Sequence, residues 1–252
     1  MVIRYEPAGP SDLLGCRTLV EVCEALHGPL IIGAWMTRAI VLSHVPEMRV
    51  RRTNDVDVAV LPEVAAASDA ARLLLDAGYR RDEHGYDFRY VRTTPEGVQI
   101  VDLMIDASAP SPGTFSVFGL GEASVTTDDV TIDIQSVGMG SFKVPSMDGA
   151  FLLRLLALAD GSSSLKFDDY AADAGQLALL LVDDSEAMAA WRRRVGAGVQ
   201  RARQIAGPLF ESERAAGSIA AARRLGRDET IAARRVSAAM RDLLSGKRRD
   251  GR

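Results

Sequence analysis

With 252 residues, 47% of them apolar and 25% charged, and a net charge of -4, the chain is large enough to bury a full core and is too ordinary in composition for a disordered or fibrous protein. No apolar run is long enough to span a bilayer. The start, Met1-Val2-Ile3-Arg4-Tyr5-Glu6-Pro7, lacks the basic residues and apolar stretch of a secretory signal, so a cytoplasmic location with no membrane partner is expected.

Cys16 and Cys23 are the two cysteines. Seven positions apart on one helix, they are too distant for a disulfide and too few for a metal site, which makes them core residues. The charge is unevenly spread. Residues 1–190 carry 14 basic and 28 acidic side chains, whereas residues 191–252 carry 16 basic and 6 acidic ones. A basic C-terminal segment is either a surface for a polyanion or a helical tail with solvated faces.

In chain order, Ser11 is placed to cap a helix whose apolar positions run from Leu13 to Leu26, with Gly28-Pro29 ending it. Leu30-Ile31-Ile32 reads as a short buried strand, and Gly33 opens a second helix through Trp35, Met36, Ile40 and Leu42, broken near Pro46. After the basic loop 49–52, Asp55-Val56-Asp57-Val58-Ala59-Val60-Leu61 alternates as a strand does. Pro62 fits the first turn of the next helix, which closes at Gly78. Strands are predicted at 86–92 and 98–105, joined as a hairpin by the turn Thr94-Pro95-Glu96-Gly97. Residues 107–123 read as a loop, and further strands are predicted at 130–134 and 142–145. Beyond Ser146 the pattern is helical: 148–159, 169–182, 185–206, 208–225 and 228–244. The expected architecture is therefore an α/β domain with a small mixed sheet, residues 1–145, followed by an all-helical C-terminal domain with a basic tail, residues 146–252.

Asp55 and Asp57 project from the same face of their strand. Two like charges at that separation repel unless a cation lies between them, and hard carboxylate oxygens suit Mg2+ or Mn2+. Asp102 stands inside the apolar run 98–105, where an unpartnered charge is costly. If its strand lies beside that of Asp55, three carboxylates converge. That is the geometry needed for one or two metals that organise a triphosphate, stabilise its departing pyrophosphate and lower the pKa of an attacking hydroxyl. The plain alternative is that Asp55 and Asp57 end a loop and Asp102 caps a hairpin.

The order Ile31-Ile32-Gly33-Ala34-Trp35, a helix, Arg52-Thr53-Asn54-Asp55-Val56-Asp57-Val58, a helix, Gly78-Tyr79 and Val101-Asp102-Leu103 resembles the nucleotidyltransferase superfamily. Within it, the Arg-x-Thr-x-Asp-x-Asp form looks like the abortive-infection (AbiEii-type, MenT-like) toxins rather than the aminoglycoside-modifying enzymes. The resemblance covers residues 28–106 well and 143–180 loosely, and the last 70 residues match no family. It implies metal ligation by Asp55, Asp57 and Asp102. It also implies phosphate contacts at Gly33 and Ala34, where the usual second small residue is Gly or Ser, so any hydroxyl contact there is lost. Arg52 and Thr53 would assist beside the nucleoside triphosphate. On the helical side it implies a basic residue, Arg154 or Lys166, and an acid, Asp169 or Asp173. Each of these has a plain reading as well, since acids there are also an N-terminal cap and a solvated first turn.

Three functions remain open from the sequence. One is nucleotide transfer to an acceptor hydroxyl, by resemblance the 3′ end of a tRNA, by a toxin with a cognate antitoxin. The basic segment with Arg192, Arg193, Arg194, Arg201, Arg203, Arg223, Arg224, Arg234 and Arg235 would then follow the tRNA phosphates. The second is modification of a cationic small molecule such as an aminoglycoside, which predicts an acidic acceptor pocket. The third is a non-catalytic nucleotide-binding module. His27, His44 and His84 have no metal-ligand spacing and are read as structural. Walker-type phosphate loops and serine-nucleophile elbows are absent from the sequence.

Overall fold

A computed structural model describes residues 1–48, 50–60, 64–83, 86–110, 112–159, 166–225 and 228–245, with backbone alone at 64–66. Pro62 and His84 lie outside the described residues. The chain divides into two compact units, Met1–Ser146 and Met147–Arg252.

The first unit runs β1 (Val2–Tyr5), α1 (Pro10–Leu26), β2 (Leu30–Ile32), α2 (Gly33–His44), β3 (Asp55–Val60), α3 (Val64–Asp76), β4 (Arg80–Arg81), β5 (Arg89–Thr94), β6 (Gly97–Asp106), β7 (Phe115–Val117), α4 (Leu120–Ala123), β8 (Thr127–Ile134) and β9 (Gly138–Pro145). Among the described residues the strands form one mixed sheet, ordered β1-β8-β9-β2-β3-β6-β5-β4, with β7 also pairing β6. β3 and β6 lie side by side and parallel, and β5 and β6 form an antiparallel hairpin. Val56, Val58, Val101, Leu103 and Ile105 are fully buried, on the sheet face against which α1 and α3 pack. The intervening positions of β3 and β6 point to the opposite face.

Several boundaries differ from the sequence pattern for local reasons. α1 begins at Pro10 behind Gly9, with no side-chain cap bond, because proline already fits the first helical position; Ser11 lies inside the helix. β5 starts at Arg89, since residues 87–88 turn into it. The stretch read as loop at 107–123 contains β7 and the single turn α4, elements too short to show a period. Strands β1 and β4 carry no alternation long enough to announce them. Cys16 and Cys23 are free and buried, and burial pushes both thiols up to about 12.

α1 and α2 are joined through a buried ion pair. Arg38 Nη1 lies 3.1 Å from Asp12 Oδ1, with both side chains essentially inaccessible. The Tyr5 hydroxyl donates to Asp12 at 2.6 Å and the Ala8 amide at 2.9 Å. The guanidinium also lies over Trp35, 4.1 Å from the ring centroid, so Trp35 is a core residue. Its remaining donors reach the Arg51 carbonyl at 2.6 and 3.3 Å. A buried charge persists only when partnered this fully, and the bond to Arg51 ties down the chain just before β3.

The second unit contains α5 (Met147–Ala159), α6 (Phe167–Asp183), α7 (Ser185–Arg193), α8 (Ala197–Leu209), α9 (Ala216–Leu225) and α10 (Glu229–Leu244). The sequence pattern runs α7 and α8 together, but the chain breaks at Gly196, whose φ is 146°. Likewise the helix expected from residue 208 starts at Ala216, because Pro208 belongs to the last turn of α8. Asp184 and Asp228 cap α7 and α10 through the two amides that follow each, satisfying donors a helix start leaves open. α5 is buried on all sides, as its apolar sequence demands. Trp191 is fully buried, its ring edge against Phe151 at 4.8 Å and its indole N–H on the Leu243 carbonyl at 2.8 Å.

Removing one partner of a buried pair strands the other, at a cost of about 3–5 kcal/mol. Arg38→Met is therefore expected to lower the unfolding free energy by that amount, measured by urea denaturation followed through tryptophan fluorescence. A loss under about 1 kcal/mol, the range of exposed pairs, would remove Arg38 from this role.

Candidate metal centre

β3 carries two of the three acids because its sequence alternates valine with aspartate. The valines go to the helix-covered face, so Asp55 and Asp57 must emerge on the other. The parallel register sets Asp57 directly beside Asp102 of β6, and Asp55 beside Ile100. One carboxylate oxygen from each of Asp55, Asp57 and Asp102 lies within 4.8 Å of the other two. Asp102 is only 4% exposed. The sheet therefore brings together the three acids singled out by the sequence, around a point that one divalent cation would fill.

Neighbouring groups hold this arrangement. The Thr53 hydroxyl donates to Asp55 Oδ1. Arg89, at the start of β5, stands directly across the hairpin from Asp102 and grips it as a fork, Nε to Oδ1 and Nη2 to Oδ2, both at 2.8 Å. Those bonds hold the guanidinium firmly protonated. Burial works against them, but the charges of Asp102 and Asp55 add to them. The same guanidinium lies 5.2 Å from the ring centroid of Tyr86.

β2 ends with Ile32 paired to Asp57, and the chain turns at once into α2 through Gly33, whose φ is 67°. That left-handed conformation favours glycine, and a β-carbon there would overlap the Asp57 carboxylate. The start of α2, at Gly33 and Ala34, thus lies against the acid cluster, and helix N-termini offer unpaired N–H groups to anions. Gly15 of α1 plays a related part, since a β-carbon there would overlap the Thr53 carbonyl. With Arg51 bound by Arg38, the segment leading to the acids is fixed at two successive points. Arg52, exposed between them, is left facing solvent.

The donor set fits a hard divalent cation. Its carboxylate oxygens are hard ligands with a hydroxyl nearby, and among the described residues no sulfur or imidazole joins the group.

The remaining candidates belong to the second unit. Arg154 of α5 and Asp173 of α6 meet as an ion pair, Nε to Oδ2 at 3.3 Å, with side chains 5% and 2% exposed. Lys166 is exposed at the start of α6, and Asp169 pairs with Arg224 at 2.8 Å. Much of the basic segment is similarly engaged. Arg192 pairs with Asp242, Arg194 with Asp148, Arg223 with Asp168, and Arg234 with Glu213.

A cleft of about 560 Å³ is lined by Glu21, Glu24 and Glu96 together with Arg17, but Glu96 pairs with Arg17 and Glu21 with Arg92, so little of its acidity is left for a cationic acceptor. It lies beside α1, and Gln99, in its lining, alternates with Ile100 and Asp102 along β6. It therefore opens on the sheet face opposite the carboxylates.

Arg89 is the site residue that the pattern of acids alone does not reveal. The hairpin turn carried the signal. Counting outward from Thr94 opposite Gly97 pairs Arg89 with Asp102, as observed.

No protein-family model matches the chain, and no curated protein matches it significantly. Among solved structures, an antigenic nucleotidyltransferase-like protein from Paracoccidioides brasiliensis is similar at 20% identity, over 69% of this chain and 84% of that one, with a TM-score of 0.40. A superposition that loose carries no argument about chemistry.

Gly33→Ala is expected to destabilise the first unit by at least about 1–2 kcal/mol from the left-handed backbone alone. Because the new methyl group displaces the Asp57 carboxylate, Mn2+ affinity should fall as well. Unaltered Mn2+ binding, measured by the loss of the free-ion EPR signal, would show that Gly33 and Asp57 are not coupled.

Proposed function

We propose that the chain is a divalent-metal-dependent nucleotidyltransferase, transferring a nucleotide from a nucleoside triphosphate to an acceptor hydroxyl. The observation that supports this reading is the convergence of Asp55, Asp57 and Asp102 beside the Gly33 turn, where a cation would lie next to the start of α2. Residues 1–145 form the catalytic domain in this reading, and residues 146–252 the helical domain with its basic tail.

Asp55, Asp57 and Asp102 would hold Mg2+ or Mn2+, which would supply neutralisation of phosphate charge and polarisation of the α-phosphorus. The amides at Gly33 and Ala34 receive the phosphates, with Arg52 and the Thr53 hydroxyl supporting them from the loop before β3. The acceptor oxygen attacks the α-phosphorus and the bond to the bridging oxygen breaks. Pyrophosphate leaves, and the hydroxyl proton passes to a carboxylate oxygen of the cluster.

Lys166, Arg154 and Asp173 enter this reading through the resemblance alone, and the Arg154–Asp173 pair is buried within its own unit. The finer reading, a toxin that extends the 3′ end of tRNA and is restrained by an antitoxin, rests on the Arg-x-Thr-x-Asp-x-Asp resemblance and on the basic C-terminal segment. The several arginines already paired with carboxylates leave fewer charges for a polyanion than the sequence count implies.

Labelled ATP, CTP, GTP and UTP offered with Mg2+ and total tRNA should give incorporation into the tRNA. The Asp55→Asn, Asp57→Asn double variant should lose it by roughly a thousandfold, the several kcal/mol that a lost metal represents. Incorporation that persists in the double variant sinks the reading. Transfer to an aminoglycoside with none to tRNA would keep the chemistry and replace the acceptor. Arg154→Met separates structure from catalysis. It should cost about 3–5 kcal/mol in stability as a broken buried pair, and transfer that falls with no loss of melting temperature would move Arg154 into the reacting site.

A further inference from the structure

We propose that Arg89 is the built-in counter-ion of the carboxylate cluster, a positioning residue that holds Asp102 and competes with the divalent cation for the cluster's negative charge. This rests on the metal-site reading of Asp55, Asp57 and Asp102.

Three carboxylates with oxygens within 4.8 Å of one another repel strongly on a sheet face where Asp102 is buried. A folded state without metal needs positive charge close to them. Arg89 supplies it by geometry that the fold fixes twice. The hairpin register sets it opposite Asp102, and both guanidinium bonds are 2.8 Å long. Its side chain is 26% exposed, against 5% for Asp102, so the pair lies at the rim of the cluster with its acid inward. A carboxylate has about four acceptor directions, and a guanidinium fork uses two of them. Asp102 therefore keeps acceptor capacity for a cation shared with Asp55 and Asp57, but in a rotamer that Arg89 dictates.

The functional consequence concerns how the metal arrives. A cation entering a cluster that already contains a guanidinium gains less than one entering three uncompensated carboxylates. The protein alone should hold divalent metal weakly. Phosphate oxygens at the Gly33 end would supply the missing ligands, so that metal and nucleoside triphosphate bind together. Arg89 in this view keeps the site from filling permanently with metal, while preventing it from flying apart in the metal's absence.

Mn2+ titrations of the full chain, read by the free-ion EPR signal, would be run on the wild type, Arg89→Met, Arg89→Lys and Asp102→Asn, alongside metal-free melting curves. Arg89→Met should bind Mn2+ on the order of tenfold more tightly, the effect of removing one nearby positive charge, and should melt lower without metal. Arg89→Lys, which keeps the charge but not the fork, should remain close to the wild type in affinity. Weaker or unchanged Mn2+ binding in Arg89→Met overturns the proposal, because an arginine that only braces Asp102 predicts that result.

If neither the wild type nor Arg89→Met binds Mn2+ at millimolar concentration, the metal-site reading fails. The metal-free curves then decide the counter-ion role by themselves. Adding Asp102→Asn to Arg89→Met should recover the lost melting temperature if Arg89 neutralises Asp102, and further loss would overturn it.

Discussion

Placing three carboxylates on one face of a sheet is unfavourable, and most of what surrounds β3 and β6 compensates for it. Asp57 and Asp102 are side by side in a parallel register that leaves no freedom to separate them. Nearby groups take up the resulting charge: the Thr53 hydroxyl at Asp55 and the guanidinium fork of Arg89 at Asp102. The glycine at position 33 lets the chain pass Asp57 at a distance no side chain would permit. A divalent cation could offset so concentrated a charge, which is why the cluster, rather than the fold around it, directs the functional reading.

The site is also braced from behind. Arg38 bonds the Arg51 carbonyl, and Gly15 allows α1 to approach the Thr53 carbonyl. The segment carrying Arg52 and Thr53 is thus positioned by α1 and α2, both of which belong to the buried Asp12–Arg38 pair. A buried pair of this kind is a poor source of net stability compared with apolar packing. Its value here is directional: it sets the approach of two helices and one loop to within hydrogen-bonding tolerance, as a site relying on preorganised ligands requires.

The acids were legible in the sequence because they break a strong local pattern. Asp55 and Asp57 alternate with valines, and Asp102 interrupts an apolar strand. The glycine turn at Gly33 was legible for a similar reason, standing between a buried strand and a helix. What local pattern could not supply was strand order. Nothing in residues 98–105 states that they lie beside β3 rather than elsewhere, so the convergence of the acids depended on a resemblance until the register was seen. Arg89 was recoverable in principle, because the turn at 94–97 fixes its partner. It looks like any arginine on a half-exposed strand until the count is made. The short elements β1, β4, β7 and α4 are not legible because two to four residues show too little of a repeating pattern, and α7 merges with α8 because a single glycine is outweighed by helical sequence on both sides.

The helical unit shows where composition overstates function. Ten positive charges in excess over residues 191–252 resemble a polyanion surface when counted along the chain. In the fold, Arg223 and Arg224 turn toward Asp168 and Asp169 of α6, and Arg194 toward Asp148 of α5. The acids they meet come from earlier in the chain, which is the very region whose negative balance made the halves look opposed. Part of the charge asymmetry is therefore complementarity within one unit: α5 and α6 bring the acids, and the later helices bring the bases that dock on them. An exposed ion pair is weak enough to be exchanged for a phosphate, so these arginines are not removed from a nucleic-acid surface. Each would have to leave a carboxylate to join it, and that exchange sets a lower yield per arginine than an unpaired basic face would give.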